Sequence, residues 1–347
     1  MKIYQNLFDQ ITSLENLFSS WDIFKSDKRT KLDVVQFEWD LEENIFTLSH
    51  DLQKGIYRHG AYEGFFISDP KQRHIHKALV RDRVLHHAIF SVINPIFEET
   101  FISTSFSCRI GYGVHKGVEA LQTMMRKVSK NNTRPCYVLK CDVRKFFDSV
   151  NHQVLLDILG KRIKDEKTMW LLMSIIESYS SVPDGSKGIP IGNLTSQLFA
   201  NIYMNEFDQF MKHVMNVTYY VRYTDDFVIV SEDRSYLERL LPQIEKFLKT
   251  RLAIGLHPDK IILQRFCQGI DFLGYINFPH HRLVRGKTKH RIFSKMRKRS
   301  KEYTAGKISK NTLDQSLQSY LGVLSHADTF YLREKLLNEA WVSGFVE

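Results

Sequence analysis

The sequence predicts an α+β chain in which short antiparallel strands pack against amphipathic helices. Three observations predict it. Tyr219 to Ser231 reads YYVRYTDDFVIVS, two apolar runs around a polar break, the pattern of a β-hairpin with Asp225 and Asp226 at its tip. Tyr137 to Asp142 reads YVLKCD, a second apolar strand that ends on a carboxylate. Apolar residues recur at helical spacing near both ends, at Leu41, Ile45, Leu48 and Leu52, and again at Leu313, Leu317, Tyr320, Leu321 and Leu324. With 347 residues the chain is long enough for two or three subdomains.

Composition narrows the class. Hydrophobic residues at 43% and charged residues at 25% are ordinary for a globular chain. No apolar run approaches the ~20 residues that span a bilayer, and MKIYQNLFDQ lacks the apolar core of a signal peptide. A cytoplasmic location without a membrane partner is expected. Cys108, Cys136, Cys141 and Cys267 show no C-x-x-C spacing, so they read as reduced thiols and suggest no zinc site. A net charge of +10 favours a polyanionic partner, nucleic acid ahead of an anionic membrane.

The carboxylates carry the chemistry. Neighbouring side chains on a strand point to opposite faces, so only a turn brings Asp225 and Asp226 to one place. Two such charges repel and lose hydration, and a divalent cation is the natural compensation. The bland reading of Asp-Asp is a surface turn. The apolar strands on both sides argue against it. With Asp142 there are three carboxylates, enough to hold two Mg²⁺ ions on oxygen ligands. Two metals ~3.5–4 Å apart activate the attacking oxygen and stabilise the leaving one in phosphoryl transfer.

Asp142-x4-Phe147, a Gly192-x3-Ser196 loop and Tyr223-x-Asp225-Asp226, in that order, resemble the palm of a reverse transcriptase. The resemblance runs from about Tyr62 to the C-terminus. It implies a right-hand polymerase with fingers, a palm of antiparallel sheet plus helices, and a helical thumb. The implied organisation is a helical extension at 1–60, fingers at 61–135, a palm at 136–278 with a helical insertion at about 152–186, and a basic thumb at 279–347. The implied activity is RNA-directed DNA synthesis, with template RNA, primer or cDNA and dNTPs as partners. Asp142, Asp225 and Asp226 are the implied catalytic metal ligands, joined by Val143, with the load mainly on Asp142 and Asp225.

Each element then has a reading in order. Thr12-x-x-Glu15 suggests a capping box for a first helix, and Leu41 to Leu52 a second that stops near Gly55. In similar enzymes such an extension contacts template RNA, which suits Lys25, Lys28, Arg29 and Lys31. Arg73 and Arg81 match the first finger motif, where basic side chains bind the incoming triphosphate. Arg83 reads instead as the partner of a neighbouring acid. Val84 to Phe97 reads as a helix that ends or kinks near Pro95. Phe101 to Gly117 resembles the second finger motif, with Arg109 and Lys116 offered to the template.

Phe147 matches the aromatic that packs beneath the incoming sugar and excludes a 2′-hydroxyl. Asp148 reads as a turn residue, and Asn151 as the N-cap of a helix from His152 to about Leu159. The stretch from Gly188 to Gln197 reads as a glycine loop entering a helix from Leu198 to about His213, placing Ile191 and Gly192 at the nucleotide and Ser196 and Gln197 at the template. Tyr223 joins them at the template or primer. A helix follows from Leu237 to Leu252. Lys260 matches the lysine proposed to protonate pyrophosphate. Phe272, Leu273 and Gly274 resemble the primer grip. Arg282 to Lys301 holds ten Lys or Arg and no acid, which reads as a thumb gripping a sugar-phosphate backbone. No endonuclease or large maturase region is expected beyond it.

Most reverse transcriptases carry Gln before this Gly and Pro after the Ser. Here the positions hold Ile191 and Gln197, which resembles the version in diversity-generating retroelements. Those enzymes copy a template RNA with frequent errors at adenines. The resemblance further implies error-prone cDNA for mutagenic retrohoming and a small, basic, oligomeric accessory protein. The alternatives are a retron-like or antiviral-defence enzyme copying a dedicated noncoding RNA, and a catalytically silent RNA-binding scaffold. Group II intron enzymes rank lower because they usually continue into a maturase region.

Overall fold

The computed structural model describes residues 2–69 and 71–342. Four helices open the chain: α1 (Leu7–Thr12), α2 (Leu14–Lys25), α3 (Leu32–Trp39) and α4 (Leu41–Gln53). The cap of α2 is Ser13, whose side chain accepts from Asn16 N, and not the expected Thr12. Thr12 closes α1, and its hydroxyl donates to Phe8 O within that helix. On α4 the apolar face is as expected: Ile45, Leu48 and Leu52 are fully buried, and Gly55 leaves the helix at φ +67°.

A hairpin of β1 (Glu63–Ile67) and β2 (Arg73–Lys77) leads into α5 (Val80–Glu98). α5 runs through Pro95 and ends three residues later at Glu98, near where its end was expected. Pro95 lies on the exposed face, where water reaches the carbonyl that its missing N–H leaves free. α6 (Val114–Val128) then packs beneath the central sheet, and β3 (Tyr137–Asp142) enters it. Next come the single turn α7 (Phe146–Ser149), α8 (His152–Gly160), α9 (Glu166–Ile176) and α10 (Leu194–Gln209), which ends in a π-turn at Phe210–Val214. The strands β4 (Tyr220–Tyr223) and β5 (Asp226–Ser231) form the hairpin, followed by α11 (Arg234–Arg251) and β6 (Ile262–Arg265).

The central sheet is antiparallel in the order β4-β5-β3-β6. Its side chains alternate between two cores. Leu139, Tyr220, Phe227 and Ile229 join the core made with α1–α5 and α8–α11. Val138, Val221, Val228 and Val230 join the other, with α6 and the C-terminal elements. Those are β7 (Ile270–Phe272), β8 (Tyr275–Asn277) and β9 (Arg282–Val284), then α12 (Gly286–Thr304), α13 (Lys310–Ser325) and α14 (Phe330–Val342). The three-stranded sheet carries the chain across 278–279, where the sequence reading separates palm from thumb. Residues 343–347 of the expected thumb lie outside the described residues. Ile292, Phe293 and Met296 bury one face of α12 and leave its basic face outward. That face meets the tip of the β1–β2 hairpin, where Asp69 lies 3.6 Å from Arg291 and also pairs with Lys295. Among the described residues no helix is long and apolar enough to cross a membrane.

One side chain ties the start of α1 to α9. Asp165, the N-cap of α9, accepts from Leu7 N at 2.8 Å and Phe8 N at 3.0 Å while also holding Thr168. Asp165→Ala should therefore lower unfolding stability by about 1–3 kcal/mol, because it leaves amide donors without a partner. Chemical denaturation would measure it, and an unchanged midpoint would show that α1 docks without this carboxylate.

Candidate active site

The site forms where strand pairing ends. β3 pairs with β5 so that Asp142 stands opposite Asp226, and Tyr223 stands opposite Asp226 across the hairpin. Thr224 and Asp225 make the loop, Thr224 at φ +55°. Val143 N donates to Asp225 O at 3.3 Å, which ties the tip to the end of β3. The three carboxylates expected at one place are brought together there. Lys260 joins them, with Nζ 2.6 Å from Asp142 Oδ1.

Their electrostatics reflect the crowding. Asp225 is pushed up to about 7, first by burial and then by Asp142 and Asp226. Asp226 is raised as well, first by burial, with Asp142 adding and Lys140 opposing. A cluster of oxygen donors that holds protons for want of compensating charge suits a hard divalent cation by its chemistry. Its geometry is not set in advance: among the described residues no group of three His, Cys, Asp or Glu side chains forms a ready metal cage. Lys260 takes up one oxygen of Asp142.

Around the carboxylates the chain supplies a floor and a wall. Lys145 at φ +45° turns the chain into α7, which carries the buried Phe146 and the half-buried Phe147. Ile189 N donates to Phe147 O at 2.8 Å. β2 is laid onto the 191–193 loop: His76 N donates to Ile191 O, and Asn193 Nδ2 donates to His76 O at 2.8 Å. Gly192 makes this possible, since a Cβ there would lie 2.7 Å from Ile75 Cγ2. Arg73 stands exposed at the start of β2. Gln197 is exposed on the first turn of α10, Tyr223 is half-buried, and Leu273 (φ +50°) and Gly274 (φ +92°) form the β7–β8 turn.

Several expected contacts are redirected. Arg109 does not face a template: it donates to Glu98, Ile102 O and Ser105 O, and its side chain is 5% exposed. Lys116, on the first turn of α6, donates to Gly111 O in the loop before it. Arg81 turns to the N-terminal helices, where it donates to Arg58 O and lies over Tyr57. Ser196 and Phe272 are buried in the two cores, so neither side chain is open to a primer or template. Arg83 pairs with Asp33.

Sequence reasoning missed a basic cleft of about 810 Å³ beside α7, lined by Arg144, Lys145, Asp148, Tyr179 and Lys187 among others. Asp148 belongs to it as well as to the turn. The signal was present in the two consecutive basic residues between Asp142 and Phe147. Lys187 carried none, because α8, α9 and the loops around them separate it from the motif.

Residues 68–277 match the family described as reverse transcriptase (RNA-dependent DNA polymerase). Protein YkfC of Escherichia coli is 27% identical over 259 residues, covering 64% of this chain and 66% of that protein. The group II intron-encoded protein LtrA of Lactococcus lactis is 21% identical over 367 residues, covering 85% of this chain and 57% of its own. The chain thus spans less than two thirds of the length of either relative. Among solved structures, apo telomerase from Candida tropicalis aligns over 70% of this chain and 58% of its own at 12% identity, TM-score 0.46. A Cas6-RT-Cas1–Cas2 complex aligns over 70% of this chain and 42% of its own at 19% identity, TM-score 0.42.

The raised carboxylate gives a pH dependence. Unfolded, Asp225 ionises near 3.8, and folded near 7. Between those values the folded chain keeps a proton that the unfolded chain has lost, so stability present at low pH is lost as pH rises towards 7. In EDTA the melting temperature should fall from pH 5 to pH 7.5, and Asp225→Asn should flatten that fall. A wild-type melt that stays level across the window would show that Asp225 is ionised throughout it.

Proposed function

The chain belongs to the reverse transcriptase family, and on that premise we propose that it is an RNA-directed DNA polymerase whose reacting end is Asp142, Asp225 and Asp226. The observation that carries this is the meeting of three carboxylates at the end of one sheet, two of them raised by burial and crowding, beside a basic cleft. In this reading Asp142, Asp225 and Asp226, with the backbone of Val143, would hold Mg²⁺. Mg²⁺ bound there supplies a Lewis acid that makes a primer 3′-hydroxyl more acidic and offsets triphosphate charge. Arg144, Lys145 and Lys187 line the cleft where that triphosphate charge would lie, and Arg73 stands on the facing strand. Phe147 would pack beneath the sugar, with Ile191 and Gly192 against the new pair. Lys260, whose Nζ lies 2.6 Å from Asp142 Oδ1, would donate a proton to departing pyrophosphate. Gln197, Tyr223, the Leu273–Gly274 turn and the basic face of α12 would hold template RNA and primer without sequence readout. The residue ranges given above for extension, fingers, palm and thumb are part of the proposal.

The finer reading is template-repeat copying of the diversity-generating type, served by a small basic accessory protein. It rests on Ile191 and Gln197. Ile has the bulk of Gln but no donor or acceptor. Losing a bond made only with a correct pair lowers discrimination, and one such bond is worth about 0.5–1.5 kcal/mol, roughly a three- to tenfold rise in errors. A second reading is favoured by the likeness to group II intron-encoded protein LtrA across 85% of the chain, namely an enzyme that copies intron RNA. Sequencing the cDNA made from copurifying RNA separates the two: errors scattered at adenines favour the first, a faithful copy of an intron the second.

Two variants test the proposal. Asp225→Ala should abolish primer extension in Mg²⁺ while RNA binding stays within about twofold of wild type, and normal incorporation would remove the carboxylate assignment. Ile191→Gln should lower misincorporation, most visibly opposite template adenine. Equal error rates at all four bases in wild type and variant would take Ile191 out of the explanation.

A further inference from the structure

We propose that Arg222 is a positioning residue that fixes the tip of the β4–β5 hairpin, and with it Asp225, from inside the protein. The inference rests on the reading of Asp225 as part of the reacting end.

Arg222 sits two residues before the loop, on a strand, with its side chain fully buried. A buried guanidinium needs a counter-charge and a partner for every N–H. Arg222 has both. Nε donates to Asp208 Oδ1 at 2.7 Å and Nη2 to Asp208 Oδ2 at 2.6 Å, a forked pair with a carboxylate of α10. Nη2 also donates to Ser105 Oγ at 2.9 Å, and Nη1 to Asn201 Oδ1 at 3.5 Å. The last N–H, on Nη1, donates to Thr224 O at 2.9 Å. Four of the five donors are therefore anchored to α10 and to the chain at 105, and the fifth holds the carbonyl that immediately precedes Asp225. Tyr220 completes the network by donating to Asp208 Oδ1 at 2.7 Å.

The tip has a reason to need holding. Thr224 is β-branched and sits at φ +55°, a region such residues rarely adopt. Its hydroxyl is fixed by Ser107 Oγ at 2.6 Å, in the same 104–107 segment that pairs with the backbone of Arg222. Strain of this kind persists only where the surroundings over-determine it. Arg222 and Ser107 clamp the residue from both ends, its carbonyl and its side chain. Without the clamp the loop would relax, and the carboxylate that follows would leave its place beside Asp142 and Asp226. Arg222, Asp208, Ser105 and Ser107 are all buried, so Arg222 acts only through Thr224.

Two variants separate positioning from bulk stability. Arg222→Lys keeps a cation opposite Asp208 but cannot serve five acceptors with three donors. The pair Arg222→Met with Asp208→Asn removes both charges together, which avoids a buried unpaired one. For each we would measure thermal melting, amide hydrogen exchange along 137–142 and 220–231, and single-nucleotide incorporation in Mg²⁺. The expected result is a cooperative melt, exchange at 223–226 faster by at least about tenfold with 138–141 still protected, kcat lower on the order of 10²-fold, and nucleotide KM within about threefold. Unchanged exchange at the tip, or unchanged kcat in a folded variant, would overturn the proposal. So would exchange that rises equally along β3, or global unfolding of both variants, since either marks the network as ordinary core. If the wild type itself extends no primer, the polymerase reading fails instead, and the exchange profile alone decides whether Arg222 holds the tip.

Discussion

Everything at the candidate site depends on one electrostatic constraint: three carboxylates must be brought together at the end of an apolar sheet. Left to itself that arrangement opposes folding, since each charge loses water and gains a like-charged neighbour. The chain tolerates it because the sheet is fixed from both faces. Leu139, Phe227 and Ile229 are locked into one core while Val138, Val228 and Val230 are locked into the other. A slip of one residue in the β3–β5 pairing would exchange the two sets and part Asp142 from Asp226. Register here is a condition of the chemistry, and the branched side chains on both faces are what enforce it.

The same constraint sorts the basic residues into two kinds. Arg222, Arg109, Arg81 and Arg83 are consumed by carboxylates and carbonyls of the fold. They hold loops and helices in place around the hairpin. Arg144, Lys145 and Lys187 instead face a cleft beside it. The net charge of +10 counts both kinds alike, so it speaks for an anionic partner without saying which side chains meet it.

What was legible in the sequence was local. The hairpin, the strand ending on Asp142 and the apolar face of α4 are patterns within a dozen residues, and their periodicity is imposed by the backbone itself. What was not legible was pairing through space. Arg222 looks like any basic residue between Val221 and Tyr223, because its partners Asp208, Asn201 and Ser105 lie on other elements. Arg109 sits in a glycine-containing loop that suggests exposure, yet Glu98 from the end of α5 claims it. The cap at Ser13 was missed by one position because Thr12 and Ser13 are both good caps, and only the closing turn of α1 decides between them. Phe272 could be assigned to a turn from its neighbours, but not its direction, which the period-2 alternation of β7 sends into the core.

These placements set two kinds of contact against each other. At the hairpin the holding contacts are buried, charge-assisted and fully satisfied, the kind whose loss is costly. The tip of the β1–β2 hairpin is joined to α12 by Asp69 with Arg291 and Lys295, all of them partly open to water. Ion pairs of that kind are worth about 0–1 kcal/mol and weaken with salt. A polyanion offers Arg291 and Lys295 many more negative charges than Asp69 does, so it competes for them directly. The hairpin is thus held by buried contacts, while the β1–β2 tip meets α12 through contacts that salt or a polyanion can replace.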